Sequence, residues 1–184
     1  MRIPVASRDS VPQQYLDAFD EMVGIRGGIP QTGPFAVLIN SPELCRLVWQ
    51  IIDFLWNQSS LPKHIQELGM LVAARELDCQ YIWNAHASTA RQAGLSDDLV
   101  DALRDEEALP PLQPDEAVVI QYGQEFYRTH RVSRGTFQEA LEVFGTQGLT
   151  ELTTLLGFYG MLAFNIIAFD VPLPDERSEP VMPV

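Results

Sequence analysis

Ser41-Pro42-Glu43-Leu44-Cys45-Arg46-Leu47-Val48-Trp49-Gln50-Ile51-Ile52-Asp53-Phe54-Leu55 reads as a helix from its first residue. Ser41 is suited to cap the N-terminus, Pro42 takes the first helical position where its missing N–H costs nothing, and Glu43 puts a carboxylate in the first turn. Leu44, Leu47, Val48, Ile51, Ile52 and Leu55 then recur at three- and four-residue intervals. The same grammar repeats outward. Ser60-Leu61-Pro62-Lys63 opens a helix carrying Ile65, Leu68, Leu71, Val72 and Ala74 to about Leu77. Asp78 can cap a further helix to Ala93, which Gly94 stops, and Ser96-Asp97-Asp98 starts a short one. Beyond Leu109-Pro110-Pro111-Leu112, helices are expected over 114–129, 133–144 and 150–168. Toward the N-terminus, Tyr15, Leu16, Phe19, Met22 and Val23 form another apolar stripe. No segment alternates apolar and polar residues with period two, so the fold class is all-α.

Punctuation divides the chain. Residues 1–33 are a helical N-terminal segment ending in the Gly27–Pro34 connector, residues 34–171 are the main helical domain, and residues 172–184 are a Pro-rich tail expected to attach loosely. The stretch from Leu155 to Phe169 is apolar almost all round and therefore central. Gly157, Gly160 and Asn165 interrupt it, and it falls short of the ~20 apolar residues that span a bilayer, so no membrane is expected. Its apolar surplus suggests a homo-oligomer.

Net charge is −13, from 25 acidic and 12 basic residues. The one basic concentration, Arg128, Arg131 and Arg134, is too small for a phosphate backbone, which excludes nucleic acid as a partner. Two cysteines, Cys45 and Cys79, are too few for a disulfide scaffold and read as free thiols in a reducing compartment. With no apolar h-region after Met1, a cytoplasmic location is expected. The sequence has no Gly-rich phosphate loop, no Gly-x-Ser-x-Gly elbow and no paired-His zinc motif.

One constellation carries chemistry. Glu67 is followed by eleven residues and then Cys79-Gln80-Tyr81-Ile82-Trp83-Asn84-Ala85-His86. On a helix, Cys79, Ile82 and His86 share a face, with thiol and imidazole about 10.5 Å apart along the axis. Glu67 is placed to reach the space between them from the preceding helix. A cysteine at a helix start has its thiolate stabilised by the dipole, which the neighbouring Asp78 carboxylate opposes. Tyr81, Ile82 and Trp83 take supporting, substrate-binding roles around this site. His64, His130 and the acidic run 105–107 are expected to face solvent.

The spacing Glu67-x11-Cys79-x2-Ile82-x3-His86 resembles the Glu-x11-Cys-x2-Cys-x3-His motif of AhpD-like alkylhydroperoxidases, with Ile82 in place of the second cysteine. Leu61-Pro62, the run from Cys79 to His86, Ala93-Gly94-Leu95-Ser96, and the downstream segment from Gly148 to Asn165 are similar to the carboxymuconolactone decarboxylase family. The resemblance implies an AhpD-like helical domain carrying an additional N-terminal helical segment, with Cys79, His86 and Glu67 as catalytic residues.

Two activities and a non-catalytic role follow. A thiol-dependent, peroxiredoxin-like oxidoreductase would use Cys79 alone, since Ile82 cannot resolve a sulfenic acid and Cys45 lies in an apolar run. A decarboxylase or lyase acting on a small carboxylated lactone would use His86 as proton donor and Glu67 to orient it. Either acts on a small-molecule substrate with no metal and no organic cofactor. A degenerate, non-catalytic family member is the third reading, and the cysteine at its matching position favours the oxidoreductase.

Overall fold

A computed structural model describes all 184 residues and contains no strand. After 3₁₀ turns at Arg8–Ser10 and Gln13–Tyr15, eight helices follow: α1 (Leu16–Arg26), α2 (Gly33–Leu38), α3 (Pro42–Asn57), α4 (Lys63–Glu76), α5 (Gln80–Gln92), α6 (Asp97–Asp105), α7 (Pro114–Thr129) and α8 (Arg134–Ala168). The expected helices 133–144 and 150–168 form one run interrupted only at Gly145, whose φ of 65° and ψ of 178° break the helical path. That positive φ strains any residue with a Cβ, so a single glycine makes a break for which the sequence suggested a longer loop. By length and composition α8 is apolar enough to cross a membrane, yet Leu152, Leu155, Leu156, Tyr159, Leu162 and Ala163 are buried, as in a core helix.

The helices fall into two compact units. Met1–Gln58 and Phe164–Pro174 make one. Here α3 packs on α1 and α2 and buries Cys45, Val48, Ile52 and Leu55. The Arg26 guanidinium lies 4.8 Å from the Phe35 ring centroid and 5.5 Å from that of Trp49, a cation–π arrangement that closes the end of α1 over α3. The backbone N–H of Arg2 donates to Phe169 O at 2.7 Å, fastening the N-terminus to the residues that follow α8.

Ser59–Ala163 and Asp175–Val184 make the second unit. Its axis is α4, in which every residue from Ile65 to Arg75 is buried, packed by α5, α6 and α7. Glycine permits the closest approach: a Cβ on Gly123 of α7 would lie 2.6 Å from Val72 Cγ1 of α4. Glu151 on α8 accepts hydrogen bonds from Ser59 Oγ, Ser60 Oγ and Ser60 N, fixing the turn that launches α4.

The C-terminal tail is not loosely attached. Glu179 pairs with Arg91, its carbonyl accepts from Asn84 Nδ2, the carbonyl of Pro183 accepts from Arg75 Nη1 at 2.7 Å, and Met182 is buried. Prolines remove helical periodicity without removing ion pairs or burial, and composition alone did not reveal these anchors.

Candidate active site

Glu67 stands in the middle of α4 with its side chain 2% exposed. A lone carboxylate there would be costly, and both of its oxygens are engaged. Oε2 lies 2.9 Å from His86 Nδ1 on α5, and Oε1 lies 2.8 Å from Lys63 Nζ, one turn earlier on α4. Burial pushes the carboxyl up, but the hydrogen bonds and charges of His86 and Lys63 prevail and hold it below its ordinary value. An ionised Glu67 requires Nδ1 to be the donor, so in the neutral imidazole the basic lone pair is on Nε2. The His86 ring also meets the buried Tyr159 ring edge-to-face, with centroids 5.2 Å apart.

Cys79 is the N-cap residue of α5, with Asp78 preceding it in a left-handed conformation at φ 52°. The sequence reading put Asp78 at the cap. Instead the Asp78 carboxylate pairs with Arg75. The Cys79 side chain makes no cap hydrogen bond of ordinary geometry, yet the N–H groups of Ile82 and Tyr81 are near enough to favour a thiolate. Burial is the larger influence and pushes the thiol up, so Cys79 is a protonated thiol at neutral pH. It is 1% exposed.

α5 begins directly after Cys79 and carries Ile82 and His86 without a break, so thiol and imidazole belong to one helix and the carboxylate reaches His86 from α4. Ile82 and Trp83 are buried and Tyr81 is half-buried. The Trp83 indole N–H has no acceptor among the protein atoms, leaving one donor for a polar guest beside the site. Lys63 and Tyr159 also contact the dyad and lie outside the sequence reading. The four-residue step from Lys63 to Glu67 was a visible signal, whereas nothing local marks Tyr159 among the apolar residues of α8.

The arginines nearest the motif are both occupied. Arg91 pairs with Asp97, Asp101 and Glu179, and Arg75 bonds Asp78 and two carbonyls. No three His, Cys, Asp or Glu side chains converge as a metal site would need. Cys45, in the other unit, is fully buried with its thiol pushed up to about 11. His64 is not simply solvated, since Nε2 lies 3.2 Å from Asp115 Oδ2.

Residues 42–125, which contain Glu67, Cys79 and His86, match the model of the carboxymuconolactone decarboxylase family. Over these residues the chain is similar to that family. No curated protein matches the sequence. Among solved structures, the chain is similar to the alkylhydroperoxidase AhpD core of a peroxidase-related protein from Ralstonia eutropha JMP134, with 17% identity, a TM-score of 0.72, and 95% of this chain and 92% of that chain covered. It is similar to a peroxidase-related protein from Silicibacter sp. TM1040 at 18% identity and TM-score 0.70, over 95% and 91% of the two chains. It also resembles the debrominase Bmp8 at 14% identity and TM-score 0.69, over 95% and 92% of the two chains. A cysteine-to-alanine variant of Bmp8 has been solved in complex with 2,3,4-tribromopyrrole. These likenesses establish an AhpD-like all-α fold.

Proposed function

We propose that this chain belongs to the carboxymuconolactone decarboxylase family and is a thiol-dependent, peroxidase-type oxidoreductase whose one reacting sulfur is Cys79. The observation that carries the reading is the buried Glu67 carboxylate of α4 bonded to His86, which stands on the helix that Cys79 caps. A protonated, buried thiol needs a base before it can attack, and an imidazole oriented by a carboxylate supplies one. His86 takes the thiol proton by way of a water or the bound peroxide between them, the sulfur attacks one oxygen of the peroxide, the O–O bond breaks, and the proton goes to the departing oxygen as an alcohol or water. The product is a Cys79 sulfenic acid. Because Ile82 offers no second sulfur, an external thiol condenses with it, releasing water, and a second external thiol then displaces Cys79 from the mixed disulfide. Tyr81, Ile82 and Trp83 line the substrate side. The peroxidase-related proteins of similar fold, and a debrominase solved as a cysteine-to-alanine variant with 2,3,4-tribromopyrrole, are in keeping with thiol chemistry in this fold.

Burial of the thiol favours a second reading, a cofactor-free lyase in which His86 delivers a proton to a dienolate and Cys79 only packs. A carboxylated substrate needs a cation, however. Arg75 and Arg91 are committed elsewhere, and Lys63 is tied to Glu67. Peroxide consumption coupled to a small dithiol separates the two. The oxidoreductase reading expects turnover in wild type and Cys45→Ser and none in Cys79→Ser, whereas equal background rates in all three would leave the lyase.

A further inference from the structure

The chain has 12 basic residues, and every one but Lys63 is an arginine. Lys63 opens α4 directly after Pro62, the N-cap, and its Nζ lies 2.8 Å from Glu67 Oε1. Nothing in the helix itself recommends a lysine there. A cation in the first turn faces the positive end of the helix dipole, and a lysine four residues before a glutamate is the weaker order of that pair. A residue that breaks the local rule answers a demand from elsewhere. Here the demand is Glu67, whose side chain is 2% exposed.

An arginine suits this place poorly. Its planar fork takes both oxygens of a carboxylate, and Oε2 of Glu67 is the oxygen that meets His86 Nδ1 at 2.9 Å. An ammonium donates to Oε1 alone and leaves Oε2 to the ring. Lys63 from α4 and His86 from α5 are the charged or titratable groups bonded to Glu67, and from α8 the Tyr159 ring meets His86. A chain of contacts therefore runs from the Lys63 side chain, 47% exposed, through the buried carboxylate to the ring that handles the proton. Burial of the carboxylate shields the ion pair from the screening that weakens pairs exposed at both ends.

We propose that Lys63 is a positioning residue of the site: its ammonium holds Glu67 so that Oε2 is presented to His86 Nδ1, and neutralising that amine disables the pair. The inference rests on Glu67 and His86 being the acid–base pair of the thiol-dependent reaction. It adds that this pair has a control point at the surface, open to a reagent that acylates an amine.

Because Lys63 is the sole lysine, amine chemistry on the folded protein reaches it and the N-terminal amine only. An N-hydroxysuccinimide ester of acetate removes the Lys63 charge, whereas reductive methylation with formaldehyde and cyanoborohydride keeps it, and the N-terminus is modified in both. Dithiol-coupled peroxide turnover is expected to fall in the acetylated protein to the level of Glu67→Gln and to persist in the methylated one. Lys63→Met should match the acetylated protein, and adding it to Glu67→Gln should cost nothing further, since one residue acts through the other. Equal turnover in the two modified proteins, or a further loss in the double variant as large as that of Lys63→Met alone, would overturn the proposal. A second readout needs no peroxide chemistry. The pH at which the Glu67 carboxyl takes up its proton, followed by carboxyl-carbon NMR and assigned by its absence in Glu67→Gln, should rise on acetylation and not on methylation. A wild type without peroxide turnover removes the oxidoreductase reading and leaves this titration to decide. A Glu67 titration unmoved by acetylation overturns the role of Lys63 whatever the turnover.

Discussion

His86 and Glu67 are held 2.9 Å apart by helices that differ in burial, the carboxylate sealed inside α4 and the imidazole partly open on α5. The pair therefore has a fixed, charged interior end and a ring that solvent or substrate can approach. Glu67→Gln keeps the shape but removes the charge that orients the ring. Dithiol-coupled peroxide turnover is expected to fall in this variant, and His86→Ala is expected to lose ~10² to 10⁴-fold, the scale of a missing proton carrier.

The same carboxylate makes stability depend on pH. Its folded pKa lies below the ordinary value, so the unfolded chain holds the proton more tightly. The stabilisation is fully present above the unfolded value of about 4.3 and is lost as pH falls through the folded one. The melting temperature of wild type minus that of Glu67→Gln should shrink between pH 7 and pH 3. A constant difference would show that Glu67 is not held ionised by Lys63 and His86.

Burial sets the resting reactivity of Cys79. With its thiol pushed up, alkylation by iodoacetamide at pH 7 should be slower than that of a small free thiol, and should accelerate as pH rises beyond the usual thiol range near 8.5. Peptide mass spectrometry resolves Cys79 from Cys45, which should react more slowly still, its thiol being pushed up to about 11.

Close packing between α4 and α7 depends on a missing side chain. Gly123→Ala places a Cβ 2.6 Å from Val72 Cγ1, and overpacking of this kind costs about 1–3 kcal/mol. Denaturant unfolding should show that loss, and Val72→Ala in the same chain should recover part of it.

Deleting residues 175–184 should lower the melting temperature, because it exposes groups that Met182 covers and leaves Arg75 and Arg91 without Pro183 O and Glu179. An unchanged melting temperature would mean that the tail is only draped on the surface.

Helical spacing made the all-α fold and the run of α3 to α7 legible, because 3.6-residue periodicity and end signals are local properties. Ser96, for instance, accepts the Leu99 N–H as the cap that its residue type suggested. What depends on distant residues was not legible. The anchoring of Glu179 by Arg91 joins positions 88 apart in sequence, and no composition rule carries that information. The site divides the same way. Glu67 and His86 meet as their spacing suggested, but the cap falls at Cys79 in place of Asp78, whose carboxylate pairs instead with Arg75. The contact of Tyr159 with His86 joins α8 to α5 and has no signal in either segment.

The central claim, that Cys79 is the sulfur that meets peroxide, is tested most directly by trapping. Wild-type protein treated with peroxide in the presence of a sulfenate-specific carbon nucleophile should carry the label on the Cys79 peptide and little on Cys45, with labelling strongly reduced in His86→Ala. Ile82→Cys should replace the trapped sulfenate by a 79-to-82 disulfide. An unlabelled Cys79 in wild type, together with no disulfide in Ile82→Cys, would contradict the account and leave His86 and Glu67 as a proton-transfer pair without a thiol partner.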